Sequence, residues 1–188
     1  MDNDAINSLT KKWTANLVYC FEDFDNETHS QRLSAYIDQK SLDKFKEANL
    51  IELTKERDRW KLTNKGIDLL ESIKNIYRSG RIFPLPLPFR HYYINCKLKY
   101  NMKIEDGKIY DGLRETVLKD RSREVRRKVA EYLEYKGKLN YKTATSLAKD
   151  KDPELRKLAA KHTVASLYWE ETDYDVIRYM VENKLADR

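Results

Sequence analysis

Residues 41–53 read SLDKFKEANLIEL and residues 60–73 read WKLTNKGIDLLESI, and these two stretches decide the fold of the first part of the chain. Leu42 and Phe45 share one face of a short helix over residues 41–48, which Asn49 ends because asparagine tolerates the left-handed conformation. Leu50-Ile51-Glu52-Leu53 then reads as a strand, and TKERDR as a charged turn. Trp60-Lys61-Leu62 returns as a second strand with Trp60 and Leu62 on the same face. Thr63 can cap a helix from Asn64 to about Tyr77, with Ile67, Leu70, Ile73 and Tyr77 on its inner side.

Toward the N-terminus, Ile6, Leu9, Trp13, Leu17, Phe21 and Phe24 recur at three- and four-residue steps, so an amphipathic helix is expected over residues 5–24. Leu33 and Ile37 mark a short second helix over residues 30–37. The order is thus three helices, a two-stranded wing and a further helix. Leu62, Thr63, Gly66, Leu69 and Leu70 form a Leu-Thr-x-x-Gly-x-x-Leu-Leu string. Over about residues 5–78 the chain resembles the winged helix-turn-helix regulators of bacteria and archaea, in which such a string follows the wing.

That resemblance implies a regulator of transcription that reads double-stranded DNA with the helix 39–48 and the wing 54–61. Lys40, Ser41 and Lys44 are expected to point outward from the helix, and Gln39, just before them, can pair with adenine. Alternation along the wing puts Lys55, Arg57 and Arg59 on one side, suited to phosphate or minor-groove contact. Asp43 and Glu47 on the same helix repel phosphate. Degenerate winged helices also mediate protein contacts, so an interaction scaffold is the competing function.

Pro84, Pro86 and Pro88 alternate with Leu85 and Leu87, which predicts an extended linker. Tyr92, Ile94, Cys96, Leu98, Tyr100, Met102 and Ile104 then alternate with Tyr93, Asn95, Lys97, Lys99, Asn101, Lys103 and Glu105. This period-two pattern predicts a long strand over 92–104, a tight turn at Asp106-Gly107 and a return strand at Lys108-Ile109-Tyr110. A strand so poorly partnered is expected to pair with the wing sheet, to form a homodimer across a two-fold axis, or to remain an edge guarded by Lys97, Lys99 and Lys103.

The remainder is helical and repeats. LKDRSREVRRKVAEYL (118–133) and AKDKDPELRKLAAKHT (148–163) align at an offset of thirty residues. Lys119/Lys149, Asp120/Asp150, Glu124/Glu154, Arg126/Arg156 and Ala130/Ala160 are identical pairs. The pattern is similar to the first helix of HEAT-type repeats, and the period suits stacked helical units. Residues 141–149 and 174–185 are expected as second helices, and 112–118 as that of a partial repeat. The resemblance makes Asp120–Arg126 and Asp150–Arg156 a ladder between repeats, leaving Arg123, Arg127 and Lys157 as freer charges and auxiliary phosphate contacts. Such a surface also suits a protein partner. The competing arrangement is a simple helical bundle.

The expected architecture is therefore mainly α with a small β component. A winged helix-turn-helix domain occupies 1–80, a proline-containing linker and β-hairpin 81–110, and a HEAT-like helical domain 111–188. Of the net charge of +6, residues 1–80 carry −1 and residues 81–188 carry +7, so the basic excess lies outside the expected DNA-reading domain. No stretch approaches the roughly 20 apolar residues of a membrane span, the polar N-terminus does not read as a signal peptide, and two unpaired cysteines suit the cytoplasm. Cys20 and Cys96, and His29, His91 and His162, show no metal or nucleophile spacing, and five glycines build no phosphate-cradling loop. Neither Asp106-Gly-Lys108 nor Trp169 beside Glu170 and Glu171 makes a convincing catalytic site. No enzyme activity, metal or cofactor is expected.

Overall fold

The computed structural model describes residues 21, 27–29, 38–54, 59–98 and 107–186. The helices expected over 5–24 and 30–37 and the wing residues Lys55 and Arg57 lie outside them, apart from the buried, helical Phe21. The described chain is mainly helical with one small antiparallel sheet, and it divides into two compact units. Residues 1–78 and 85–92 make the first, and residues 79–84 and 93–188 the second.

In the first unit, strand β1 (Glu27–His29) precedes helix α1 (Gln39–Glu47), then come β2 (Ile51–Leu53), β3 (Arg59–Leu62) and α2 (Asn64–Ser79). The sheet order is β1-β3-β2, with Thr28 opposite Trp60 and Leu53 opposite Trp60 on the other side. Phe45, Leu50, Ile51, Trp60, Leu62, Leu70, Ile73 and Tyr77 are all buried. Asn49 sits at φ 54° and turns the chain from α1 into the hairpin, as its residue type predicts.

Each member of the Leu-Thr-x-x-Gly string has a physical task. Leu62 and Leu70 fill the core. The Thr63 hydroxyl accepts the Gly66 N–H at 3.1 Å and donates to the Asn49 carbonyl at 2.6 Å. A Cβ on Gly66 would stand 2.1 Å from the Leu50 carbonyl oxygen, so this turn of α2 presses directly on backbone. Gly66→Ala is expected to destabilise the first unit by about 1–3 kcal/mol, the usual range for overpacking. A urea titration followed by tryptophan fluorescence measures it; an unchanged midpoint would contradict this close approach.

The structure corrects the reading of 84–110. Leu87–Tyr92 form α3, with Pro88 inside its first turn, where the missing N–H would have had no helical partner anyway. Only the few residues before it remain a linker. Tyr93–Leu98 continue as a π-helix rather than as the first half of a strand; residues 99–104 are not among those described. The alternation failed because it placed Tyr93 on the polar side. Tyr93 and Ile94 are both buried, which two successive residues of a half-buried strand cannot be. Tyr93 and Leu98, five residues apart, fall together under i to i+5 winding. Gly107–Lys119 form α4, so the expected turn at Gly107 and return strand at 108–110 are the beginning of a helix. The homodimer argued from that strand loses residues 92–98 as a pairing edge, while residues 99–104 lie outside those described.

The second unit then alternates α4, α5 (Arg123–Tyr135), α6 (Tyr141–Leu147), α7 (Pro153–Ala160), a 3-10 turn (Ala165–Tyr168) and α8 (Tyr174–Glu182). Leu113, Val117, Val125, Val129, Leu133, Ala144, Leu147, Leu155, Ala159 and Val176 make its core. The alanines at 130 and 160, identical in the repeat, are both buried and allow close helix approach.

Candidate nucleic-acid interface

Helix α1 begins at Asp38, whose side chain accepts the Ser41 N–H at 2.7 Å. That hydrogen bond holds the Asp38 carboxyl below its ordinary range. Gln39 and Lys40 are exposed, Lys44 is half-buried, and Ser41 is buried at 9% exposure rather than outward-facing. The reason is a rotation of the helix by about one residue. Its inner face runs through Ser41 and Phe45, four residues apart, and Leu42 is only half-buried. The Gln39 amide donates to the Asp43 carboxylate at 2.8 Å, so reading a base would require that bond to open. Lys46 lies over the Trp60 ring, 4.7 Å from its centroid. Arg59 is half-buried at the start of β3. Across the hairpin, Lys61 pairs with Glu52 at 2.9 Å.

In the second unit, three turns share one construction. Asp120 Oδ1 accepts the Ser122 N–H, Asp150 Oδ1 the Asp152 N–H, and Glu171 Oε1 the Asp173 N–H, at 2.8, 2.9 and 2.9 Å. Ser122, Asp152 and Asp173 in turn cap α5, α7 and α8. Arg126 donates to the Asp120 carbonyl at 3.1 Å and to the Asp150 carboxylate at 2.9 Å. One repeat later, Arg156 donates to the Asp150 carbonyl at 2.9 Å and forks onto Glu171 at 2.6 and 3.0 Å. Each guanidinium thus ties its own turn to the next. Burial alone would raise the Glu171 carboxyl; the Arg156 fork and the Asp173 N–H outweigh it and hold it below its ordinary range. The third turn follows the second by twenty-one residues instead of thirty, which the alignment of 118–133 with 148–163 could not reveal.

Arg123, Arg127 and Lys157 are not the freer charges. Arg127 forks onto Asp152, Arg123 reaches the same carboxylate at 3.0 Å, and Lys157 pairs with Glu154 at 3.0 Å. Positions 123 and 127 lie one turn apart on α5 and both reach the cap of α7, an arrangement set by the packing of the two helices and not by spacing along the chain. Among the described residues, the exposed basic groups of this unit that stand without an ion pair are others, including Arg121, Lys149 and Lys151. The thirty-residue offset that pairs Lys119 with Lys149 also pairs Arg121 with Lys151, so the sequence carried a signal for them.

A groove of about 540 Å³ lies between the π-helix and α5, lined by Ile94, Asn95, Leu98, Lys128, Tyr132 and Tyr135. Burial pushes the Tyr132 hydroxyl up to about 12. Among the described residues no group of three His, Cys, Asp or Glu side chains could hold a metal ion, and no helix is long and apolar enough to cross a membrane. The chain matches no family model, and no curated protein or solved structure is significantly similar to it.

Proposed function

We propose that the chain binds double-stranded DNA as a winged helix-turn-helix regulator acting in the cytoplasm. Helix α1 would enter the major groove and the β2–β3 turn would lie beside it as the wing. The observation that supports this reading is the order and pairing of the first unit. A strand precedes α1, a β2–β3 hairpin follows it, and the earlier strand closes the sheet against β3. Lys40 and Lys44 are the helix cations available to DNA, Gln39 the base-reading group, and Lys55, Arg57 and Arg59 the phosphate-binding groups of the wing.

The test is fluorescence anisotropy with a labelled random duplex over a range of salt. Replacing Lys55, Arg57 and Arg59 together with Gln is expected to weaken binding to every duplex. The slope of log affinity against log salt should flatten by about 0.9 for each phosphate that the variant no longer neutralises. Unchanged affinity removes the wing from the interface. The second reading, a protein-interaction scaffold, is favoured by the burial of Ser41 and the engagement of Gln39 with Asp43, which reduce the base-reading groups of α1. It would prevail if the whole chain shows no salt-sensitive duplex binding.

A further inference from the structure

The sequence of the repeat turns, Lys-Asp-Arg-Ser at 119–122 and Lys-Asp-Lys-Asp at 149–152, mixes both signs of charge. The fold separates them. Asp120 is buried, and Asp152 is buried beneath Arg127 and Arg123. Asp150 is turned inward onto Arg126 and the Asp152 N–H. Lys119, Arg121, Lys149 and Lys151 are exposed. The acids of the two turns themselves face inward, onto backbone N–H groups and arginines, so Arg121, Lys149 and Lys151 form the outer rim, with Lys119 paired to Glu115 and with Glu124 and Glu154 exposed in the helical turns that follow. The turns are also adjacent, because the single guanidinium of Arg126 touches both: the Asp120 carbonyl at 3.1 Å and the Asp150 carboxylate at 2.9 Å. The third turn does not continue the row, since Glu170 and Thr172 stand where Lys149 and Lys151 stand before it.

We propose that the paired turns 119–122 and 149–152 form a phosphate-binding edge for duplex nucleic acid, with Arg121, Lys149 and Lys151 as its binding groups. It extends the DNA-binding reading with a second surface, formed by a different unit of the chain. Packed helices stand roughly 8–10 Å apart. The rise of one nucleic-acid strand is about 3.4 Å per phosphate along the helix axis, and the winding backbone sets successive phosphates farther apart than that, so the two turns fall within one short stretch of backbone. Long amine and guanidinium side chains on exposed turns meet such a ladder of anions without demanding a particular base. The N-termini of α5 and α7 open at the same turns, but Glu124 and Glu154 in their first turns offset the helix dipole, so the edge rests on its three side-chain cations. This surface also accounts for where the charge lies: the +7 of residues 81–188 has an outlet that the near-neutral first 80 residues lack.

The experiment compares four full-length proteins on a labelled random duplex from low to moderate salt. They are the wild type, an edge variant (R121Q, K149Q, K151Q), a charge-matched control (K138Q, K142Q, K184Q) and an α1 variant (K40Q, K44Q). The control residues sit past the C-terminal ends of α5 and α8 and in the first turn of α6. The edge variant is expected to bind at least tenfold more weakly, with the salt slope reduced by about 2.7 for three phosphates no longer neutralised, and to keep the wild-type circular dichroism and Tm. The control should bind as the wild type does. If the edge variant loses affinity while the α1 variant does not, the edge stands and the reading of α1 fails. If the α1 variant alone loses affinity, the edge is overturned and that reading survives. Equal losses in edge and control variants overturn the edge as a defined site. No duplex binding by the wild type, or binding only to anionic lipid vesicles, overturns it as well.

Discussion

Replacing Asp152 with Ala is expected to lower the unfolding free energy of the helical unit by on the order of 3–5 kcal/mol, the usual loss when one partner of a buried ion pair is removed. The Asp152 side chain is 1% exposed and does two jobs. Its carboxylate caps α7 by accepting the Glu154 N–H at 3.1 Å, and it receives Arg127 and Arg123 from α5. The alanine variant loses the cap and leaves the half-buried Arg127 guanidinium without its carboxylate. Asp152→Asn keeps an acceptor for the cap and should fall between the two. Burial by itself would raise the Asp152 carboxyl, but the Arg127 fork, the Glu154 N–H and Arg123 outweigh it and hold it below the ordinary 3.8. A carboxyl depressed in the folded state stabilises above its unfolded value and loses that contribution as pH falls through the folded one. The wild-type Tm should therefore decline below about pH 4, and the alanine variant should lose less over that interval. Urea titrations at neutral pH and a Tm series from pH 6 to 2 measure both effects. A variant as stable as the wild type would show that the α5–α7 pairing contributes nothing.

Phe45→Ala is expected to destabilise the first unit by about 3–5 kcal/mol, since Phe45 is fully buried at the centre of the α1 face. Leu42→Ala, on the half-buried flank of the same helix, should have a much smaller effect. The contrast tests the rotation of α1 directly. Equal losses at the two positions would restore the Leu42–Phe45 face and return Ser41 to the surface. Hydrogen exchange of the amides of 59–73 should report the Phe45 variant as a general loss of protection, because β3 and α2 share its core.

The first unit was legible where local chemistry and tertiary packing agree. Asn49 in the left-handed region, Trp60 and Leu62 on one face of β3, Thr63 at the start of α2, and Leu70, Ile73 and Tyr77 along it each follow from residue type and period. The π-helix was not legible, because Tyr93 counts as amphipathic in any pattern and only its burial decides which face it joins. Gly107 misled for a related reason: Asp-Gly favours a hairpin turn, but here the glycine opens α4. The thirty-residue repeat was visible from identities alone, and so were the arginines of its ladder. Their partners were not, since Arg126 meets the acid of the following turn and Arg127 the cap of α7, pairings set by stacking rather than by spacing along the chain. Of the interface residues named from sequence, Gln39 and Lys40 reach solvent and Ser41 does not, a difference of one residue in helix phase.

The arginine ladder also gives the helical unit a direction. Every rung is donated by the earlier turn and accepted by the later one, first by Arg126 to Asp150 and then by Arg156 to Glu171 and Asp173. At the position where a third rung would begin, six residues after Glu171, the chain carries Ile177. Local opening starts where the fewest ties hold an element to its neighbours. Cutting the Arg156 rung should release α8 while α4 to α7 keep their order, whereas cutting the Arg126 rung should split the stack in its middle. Opening would then proceed as a sequence of hinged steps from one side, like a zipper with numbered teeth, rather than as a single collapse of the unit.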